Sequence, residues 1–239
     1  DGQLGLATRL ARRGIAAAEA ISSPEAQAAA YWNASIFERD NGHLDRAIEL
    51  ASRALGILEN GESTRNLSRL RTQLAVFHLR DPHADLVETR RLLELAAQEM
   101  KWSSASPVDQ ARCEMAFARL LIREGRGRQA IEHLRSVPPS VCHQEPSLSA
   151  ELRVIEVIAL VADEAPVDEA YAGATSLLDL LGSDRGIGQL WFELGEAMAA
   201  LGDKARAAQA YRRASVCLGA SRVLMPIYDR TAYSLSTLA

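Results

Sequence analysis

The order of residues that decides the fold is Leu190-Trp191-Phe192-Glu193-Leu194-Gly195, followed by Gly202-Asp203, Ala207, Tyr211 and Ala214. Apolar residues at helical spacing lie on both sides of the glycine turn, which predicts two helices joined by a short loop. We expect Trp191 and Leu194 to bury one side of the first helix. Because Gly195 has no side chain, the second helix can approach it closely, and we expect that contact at Ala207.

The same pattern recurs along the whole chain. Small residues equivalent to Ala207 recur about every 40 residues, at Ala7, Ala47, Thr89, Ala130 and Ala170. Seven positions after each of them, on the same helical face, lie Gly14, Ala54, Ala96, Val137, Leu177 and Ala214. Glycine turns at residues 42, 125 and 202 precede three of the second helices. The chain is therefore predicted to be a stack of helical hairpins.

We expect five hairpins, each made of two helices. The predicted helix pairs cover 25–40 with 44–58, 64–79 with 84–100, 107–124 with 127–136, 147–163 with 167–181, and 186–201 with 203–218. The doublet Pro138-Pro139 is expected only to end a helix. A helix over 3–21 has the register of a second helix without a first one, so we expect further native sequence upstream of Asp1.

A final covering helix is expected over 221–238. Its apolar residues Leu224, Ile227 and Tyr228 are candidates for self-association into a homodimer. The alternative is that they only cap the last hairpin.

Composition limits the function classes. The chain has 239 residues, of which 48% are hydrophobic and 5% aromatic, which suits a closely packed helical domain. Its net charge of −4 is spread along the sequence, so a nucleic-acid surface is not expected. No apolar run reaches the roughly 18 residues that span a membrane, and no signal-peptide pattern is visible, so we expect a cytoplasmic protein without membrane contact. All basic residues except Lys101 and Lys204 are arginine, a bias that points toward actinobacteria.

The sequence contains no recognisable catalytic or metal-binding motif. The five histidines fall in turns or on separate helices, and Asp81-Pro82 separates His78 from His83. The three cysteines lack the spacing of metal ligands and are expected to be reduced thiols. We therefore expect no catalytic residue, no cofactor and no metal, and a protein that is not an enzyme.

Stacked helical hairpins form a superhelix whose first helices line a concave groove for an extended partner. By alignment to Ala207, we expect this groove to present Asn33, His78, Arg112, Arg119, Arg123, Glu156, Glu193 and Glu196, with apolar residues that include Leu74, Met115 and Phe192. The arginines would make the centre of the groove basic, and the glutamates would make its C-terminal part acidic.

Two alternatives remain open for these polar residues. The amide of Asn33 can both donate to and accept from a peptide backbone, or Asn33 is a packing or solvated residue. The three arginines form either an anion site or a solvated face with internal ion pairs, for which Glu114 and Glu124 are near neighbours. Trp32 and Trp191 are expected to be packing residues.

The stretches 31–35 and 42–47 (YWNAS and GHLDRA), and 189–195 and 210–215 (QLWFELG and AYRRAS), resemble tetratricopeptide repeats that follow the helix-turn-helix domain of actinobacterial Xre-type regulators. The resemblance implies that 1–239 is one all-α, tetratricopeptide-like superhelical solenoid of about five hairpins, with an N-terminal half repeat and the covering helix. In that family the helix-turn-helix binds DNA, and the repeats dimerise or sense a peptide or protein.

The implied function is the ligand-sensing and oligomerisation domain of a bacterial transcriptional regulator, which would contact DNA only through an upstream domain. The alternative is a constitutive adaptor for protein–protein interaction without DNA binding. Helical repeats serve both roles, so this alternative stays open at the level of sequence.

Overall fold

The computed structural model describes residues 2–20, 23–61, 64–103 and 105–218, and within these ranges the chain forms twelve α-helices and no strand. The helices are α1 (Gly2–Ala20), α2 (Pro24–Asp40), α3 (Leu44–Leu58), α4 (Thr64–Arg80), α5 (Leu86–Trp102), α6 (Pro107–Arg123), α7 (Gly127–Ser136), α8 (Pro139–Gln144), α9 (Pro146–Ala162), α10 (Asp168–Leu181), α11 (Arg185–Leu201) and α12 (Lys204–Leu218). Eleven of them begin and end close to the positions expected from the sequence. The expected covering helix over 221–238, with Leu224, Ile227 and Tyr228, lies outside the described residues.

Each helix packs mainly on its neighbours in the chain. The closest pairs are α2 with α3, α4 with α5, α6 with α7, α9 with α10, and α11 with α12. The first helices of successive pairs also touch, α4 with α6, α6 with α9, and α9 with α11, while α1 packs on α2. An all-α fold with contacts between consecutive helices is compatible with a solenoid, because each hairpin buries its apolar face on the next one.

Most of the small residues expected between paired helices are buried. Ala47, Thr89 and Ala130 have no exposed surface, and Ala207 is 5% exposed. In α10 the expected positions 170 and 177 are only half-buried, and the buried residues lie one position later, at 171 and 178. One residue corresponds to a rotation of about 100° around a helix, so α10 is turned relative to the other second helices. Gly14 of α1, which is expected on the same helical face as Ala7, is exposed.

Four hairpin turns share one hydrogen-bonded geometry. At Gly42, Gly125 and Gly202 the backbone has a φ of +73° to +83°. In each turn the following N–H donates to the carbonyl five residues back, as from Asp203 to Met198 at 2.9 Å. The residue before it donates its own N–H to the carbonyl three residues back, as from Gly202 to Ala199 at 3.0 Å. Together the two bonds satisfy the last carbonyls of the helix, and they require a residue in the left-handed conformation. In the turn between α9 and α10 that residue is Glu164, with a φ of +52°.

Two glycines allow unusually close contacts between helices. A Cβ atom at Gly195 would lie 2.7 Å from two ring carbons of Tyr211, so this glycine makes room for the Tyr211 ring on α12, and Ala207 on the same helix is buried. A Cβ atom at Gly127 would lie 2.6 Å from the carbonyl oxygen of Ala159 and 2.7 Å from the backbone nitrogen of Asp163. The start of α7 is therefore pressed against the backbone at the end of α9.

The Pro138-Pro139 doublet does more than end a helix. Val137 caps α7, and Pro139 is the first residue of the short helix α8, which the sequence pattern did not predict. A proline fits this first position because its missing N–H would have no partner within the helix. Val141 of α8 is buried in a core cluster, and α8 packs on α9 and α6.

Candidate functional site

A concave groove of ≈ 2390 Å³ runs along the first helices α2, α4, α6, α9 and α11. Pockets for small molecules usually enclose roughly 300–1,000 Å³. The groove therefore exceeds a small-molecule pocket in volume, and its lining residues come from five successive hairpins. Its apolar lining includes the half-buried Val76, Ile158 and Phe192.

Four of the eight polar residues expected in the groove line it. Arg112 and Arg119 project from α6, and Glu193 and Glu196 project from α11. Because Met115 and Phe192 also lie in the lining, the groove faces of α6 and α11 follow the expected register.

The other four expected residues lie elsewhere. Asn33 is exposed on α2, outside the groove lining, and His78 is half-buried on α4. Glu156 accepts a hydrogen bond at 2.7 Å from Arg153, one turn earlier on α9. Arg123 donates to the carbonyl oxygens of residues 79, 81 and 82 at 2.9–3.0 Å, so it caps the end of α4 rather than facing a ligand.

The register of α4 explains the misplacement of His78. The groove face of α4 carries Arg69, Gln73, Val76 and Arg80, whereas Leu74 is only 4% exposed and belongs to the core. Burial lowers the pKa of His78, against the opposing effect of nearby carboxylates led by Glu88. Because its pKa is lowered, the imidazole of His78 is mainly neutral at physiological pH.

The centre of the groove is an ion-pair network that joins helices far apart in the sequence. Arg119 on α6 donates to Glu193 on α11 at 2.8 Å and to Glu151 on α9 at 3.3 Å. The side chains of Arg119 and Glu193 are 19% and 16% exposed. Partly buried pairs of this kind are stronger than pairs on an open surface, because less water screens them.

The pKa directions in this network follow from burial and from its charges. Burial raises the pKa of Glu193, but Arg119 and Arg80 outweigh it, and the net pKa is lowered. Burial lowers the pKa of Arg119, but Glu193 and Glu151 outweigh it, and the net pKa is raised. Arg80 keeps exposed surface, but partial desolvation within the groove lowers its pKa, although Glu193 acts in the opposite direction. Arg119 and Glu193 are therefore both charged at neutral pH.

A second set of ion pairs lies toward the N-terminal end of the groove. Ser106 caps α6 by accepting from the N–H of Asp109 at 3.1 Å, and its hydroxyl donates to the Asp109 carboxylate at 2.8 Å. The same carboxylate pairs with Arg65 at 3.4 Å and Arg69 at 3.2 Å, both on α4. The Arg69 guanidinium also lies 5.4 Å from the ring centroid of Trp32.

The acidic partners differ from those expected. Glu114 pairs with His133 at 2.6 Å, and Glu124 pairs with Arg90 at 2.6 Å, so neither neutralises the groove arginines. Arg112 instead pairs with Glu145 at 3.6 Å. Arg65, Arg69, Arg112 and Arg119 thus take part in internal ion pairs between hairpins.

Groups for catalysis or metal binding are sparse in this part of the chain. Among the described residues, no three His, Cys, Asp or Glu side chains form a group that could hold a metal ion. Burial raises the pKa of Cys113 to about 12, so this thiol is protonated at neutral pH. No helix among the described residues is long and apolar enough to cross a membrane.

Sequence reasoning missed Arg69, Arg80 and Glu151 as groove residues. The spacing of Arg65, Arg69, Gln73, Val76 and Arg80 is the signal that identifies the polar face of α4, since these residues are three or four positions apart. Comparison with protein-family models finds no matching family, and comparison with curated proteins finds no match.

Proposed function

We propose that this chain is a tetratricopeptide-like solenoid that binds an extended peptide or protein segment in the groove defined by α2, α4, α6, α9 and α11. The size and lining of the groove carry the proposal. Apolar side chains such as Val76, Ile158 and Phe192 offer surface for the side chains of a segment, and charged residues can fix its direction.

Within this proposal, the chain is the ligand-sensing and oligomerisation domain of a bacterial transcriptional regulator. The resemblance of 31–35 with 42–47, and of 189–195 with 210–215, to the repeats of Xre-type regulators supports this part. A segment that replaces the Arg119–Glu193 pair would change how α6 lies against α11, and so the pitch of the solenoid. Such switching needs a ligand with different affinities for two shapes of the solenoid.

A constitutive adaptor is the second candidate. The ion pairs that join α4 to α6 and α6 to α9 favour it, because they hold consecutive hairpins in one arrangement. An adaptor would bind partners without a change of pitch. Stable partners recovered from cells, together with no operator binding by the full-length protein, would favour this role.

A peptide-display selection against the protein tests the shared part of both candidates. The variant Gln73→Trp/Ala200→Trp places two indole rings inside the groove, on α4 and α11. The matched control Asn66→Trp/Ala199→Trp places them on the same helices at exposed positions outside the groove lining. We expect selected peptides to lose binding to the groove variant and to bind the control as they bind the wild type.

Circular dichroism should show the same helix content in all three proteins. Equal binding to the wild type and the groove variant would contradict the proposal, as would a selection that recovers no peptide. For the regulator role, saturation with a selected peptide should change the small-angle scattering of the protein and the operator affinity of the full-length product. Unchanged scattering and unchanged affinity would favour the adaptor.

A further inference from the structure

The charged residues of the groove are sorted by helix. Among those that line it, α4 and α6 contribute five arginines and one acid, Asp109; the arginines are Arg65, Arg69, Arg80, Arg112 and Arg119. We call this set the basic wall. The segments 145–162 and 184–201 contribute five acids and one arginine, Arg185; the acids are Glu145, Glu151, Asp184, Glu193 and Glu196. We call this set the acidic wall.

The two walls meet at the centre of the groove. Arg119 of the basic wall contacts both Glu151 and Glu193 of the acidic wall, and Arg112 contacts Glu145. Arg80, at the end of α4, lies close enough to Glu193 to lower the pKa of that carboxyl. In the structure the walls therefore neutralise each other, and each pair stands where a ligand would have to lie.

The remaining charged lining residues do not disturb this division. They lie at the end of α2, in the first turn of α3 and in the loop that follows α4, and they are of mixed sign: Arg39, Asp40, Asp45, Arg46 and Asp81. The separation of charge is thus a property of the helices that form the walls.

We infer that the groove selects a dipolar peptide segment, meaning one with acidic groups at one end and cationic groups at the other. This inference rests on the proposed function. When such a segment binds, an ion pair between the two walls is replaced by two new ion pairs. The acidic group of the segment pairs with the arginine of the basic wall, and its cationic group pairs with the glutamate of the acidic wall. Complementary charge of this type gives specificity and orientation more than raw affinity.

Other ligand charges fit the groove less well. A segment of one sign is attracted by one wall and repelled by the other, so its net electrostatic gain is small. An uncharged segment would separate the paired side chains and remove them from water without replacing their partners, which costs free energy. A nucleic acid, with its uniform negative charge, would face the five carboxylates of the acidic wall.

The test uses display libraries of capped nonapeptides with five randomised central residues. One library has Glu-Glu and Arg-Arg at its two ends, in both orders; the other three have only glutamate, only arginine or only glutamine at both ends. We expect the dipolar library to be enriched at least about tenfold over each of the others on the full chain, since each matched charge contributes to discrimination.

The possible outcomes separate the two proposals. Equal enrichment from the glutamine library, abolished by Gln73→Trp/Ala200→Trp, would overturn the dipolar preference and leave a groove that binds peptides. Enrichment of only one of the single-sign libraries would also overturn it. The absence of enrichment from every library would overturn both the dipolar preference and the proposed function.

A charge-reversal variant provides a second readout. Glu196 is exposed in the acidic wall and accepts a hydrogen bond from the Tyr211 hydroxyl. Glu196→Arg reverses this charge and removes the acceptor, so circular dichroism should first show that the variant keeps the wild-type helix content. We expect it to reduce enrichment of the dipolar library by about fivefold or more, as expected when a like charge replaces an attractive one. The control Glu132→Arg, exposed on α7 outside the groove lining, should leave enrichment unchanged. Equal effects of the two variants would contradict the dipolar preference.

Discussion

Glu164 holds a backbone conformation that glycines hold at three matching turns. Its φ of +52° falls in the left-handed region, where a Cβ atom crowds the following carbonyl oxygen. The turn is nevertheless closed, since the N–H of Ala165 donates to the carbonyl of Leu160 at 2.9 Å. At the residue scale, the geometry of the turn dominates over the preference of the side chain.

Replacement of Glu164 by glycine should stabilise the protein. The change removes a left-handed strain of about 1–2 kcal/mol and adds a smaller entropic cost in the unfolded chain, so we expect a gain of about 0.5–1 kcal/mol in the free energy of unfolding. Urea denaturation measures it. The reverse change at an equivalent turn, Gly202→Glu, should cost a similar amount, and a loss of stability in Glu164→Gly would contradict this account.

Helix α7 depends on a direct contact between backbones. Gly127 is its first residue and is buried against the end of α9, where the carbonyl of Ala159 and the N–H of Asp163 leave no space for a methyl group. At the scale of elements, this contact sets the separation of two helices that belong to different hairpins. Backbone atoms cannot rotate away as a flexible side chain can, so the helices themselves would have to move.

The variant Gly127→Ala should therefore lower the free energy of unfolding by about 1–3 kcal/mol or more, as overpacking in a core does. Gly173→Ala is the matched control, because Gly173 lies within α10 and has no atom within 4 Å of its Cβ position. There, alanine should stabilise the helix by up to about 1 kcal/mol. Thermal unfolding of both variants compares them. Similar stability changes would mean that the contact at Gly127 is not tight.

The whole molecule is held together by contacts over two length scales. Apolar stripes join each helix to its neighbours in the chain, as at Ala47 and Ala130. The Arg119–Glu193 pair joins α6 to α11, over 74 positions of sequence and past the intervening helix pair. The second kind of contact joins residues of different hairpins, whereas the first kind is made within each hairpin or between neighbouring ones.

This long-range pair should make stability depend on pH. The pKa of Glu193 is lowered from its ordinary value of 4.5, so its contribution is complete above that value and is lost as the pH falls through the lower pKa of the folded state. We expect Glu193→Gln to lower the free energy of unfolding at pH 7 by about 1–3 kcal/mol, since Arg119 loses a charged partner.

The difference between wild type and Glu193→Gln should shrink as the pH falls below 4.5 and through the lowered pKa of the folded state, because the wild-type carboxyl is then protonated too. Urea denaturation at a series of pH values measures this difference. Glu169→Gln, at an exposed position on α10, is the control and should follow the wild type throughout. A difference that stays constant with pH would show that the Glu193 charge does not contribute.

The helices and their turns follow from information that lies within a few residues. Apolar spacing predicts the bounds of α2 and α12, and Gly42, Gly125 and Gly202 mark the turns, because backbone sterics and helical periodicity act locally. Arg112, Arg119, Glu193 and Glu196 line the groove, because α6 and α11 keep the register of the repeat.

The pairing of groove residues depends on how the hairpins rotate against one another. Leu74 and His78 were expected in the groove, but α4 presents Arg69 and Arg80 there, and Arg119 finds its partners on two other hairpins. The rotation is set by the fit of many side chains at each helix interface, which no single repeat contains. The positions of the helices can therefore be predicted from the sequence, whereas the charge pattern of the groove is decided by the packing of all the hairpins.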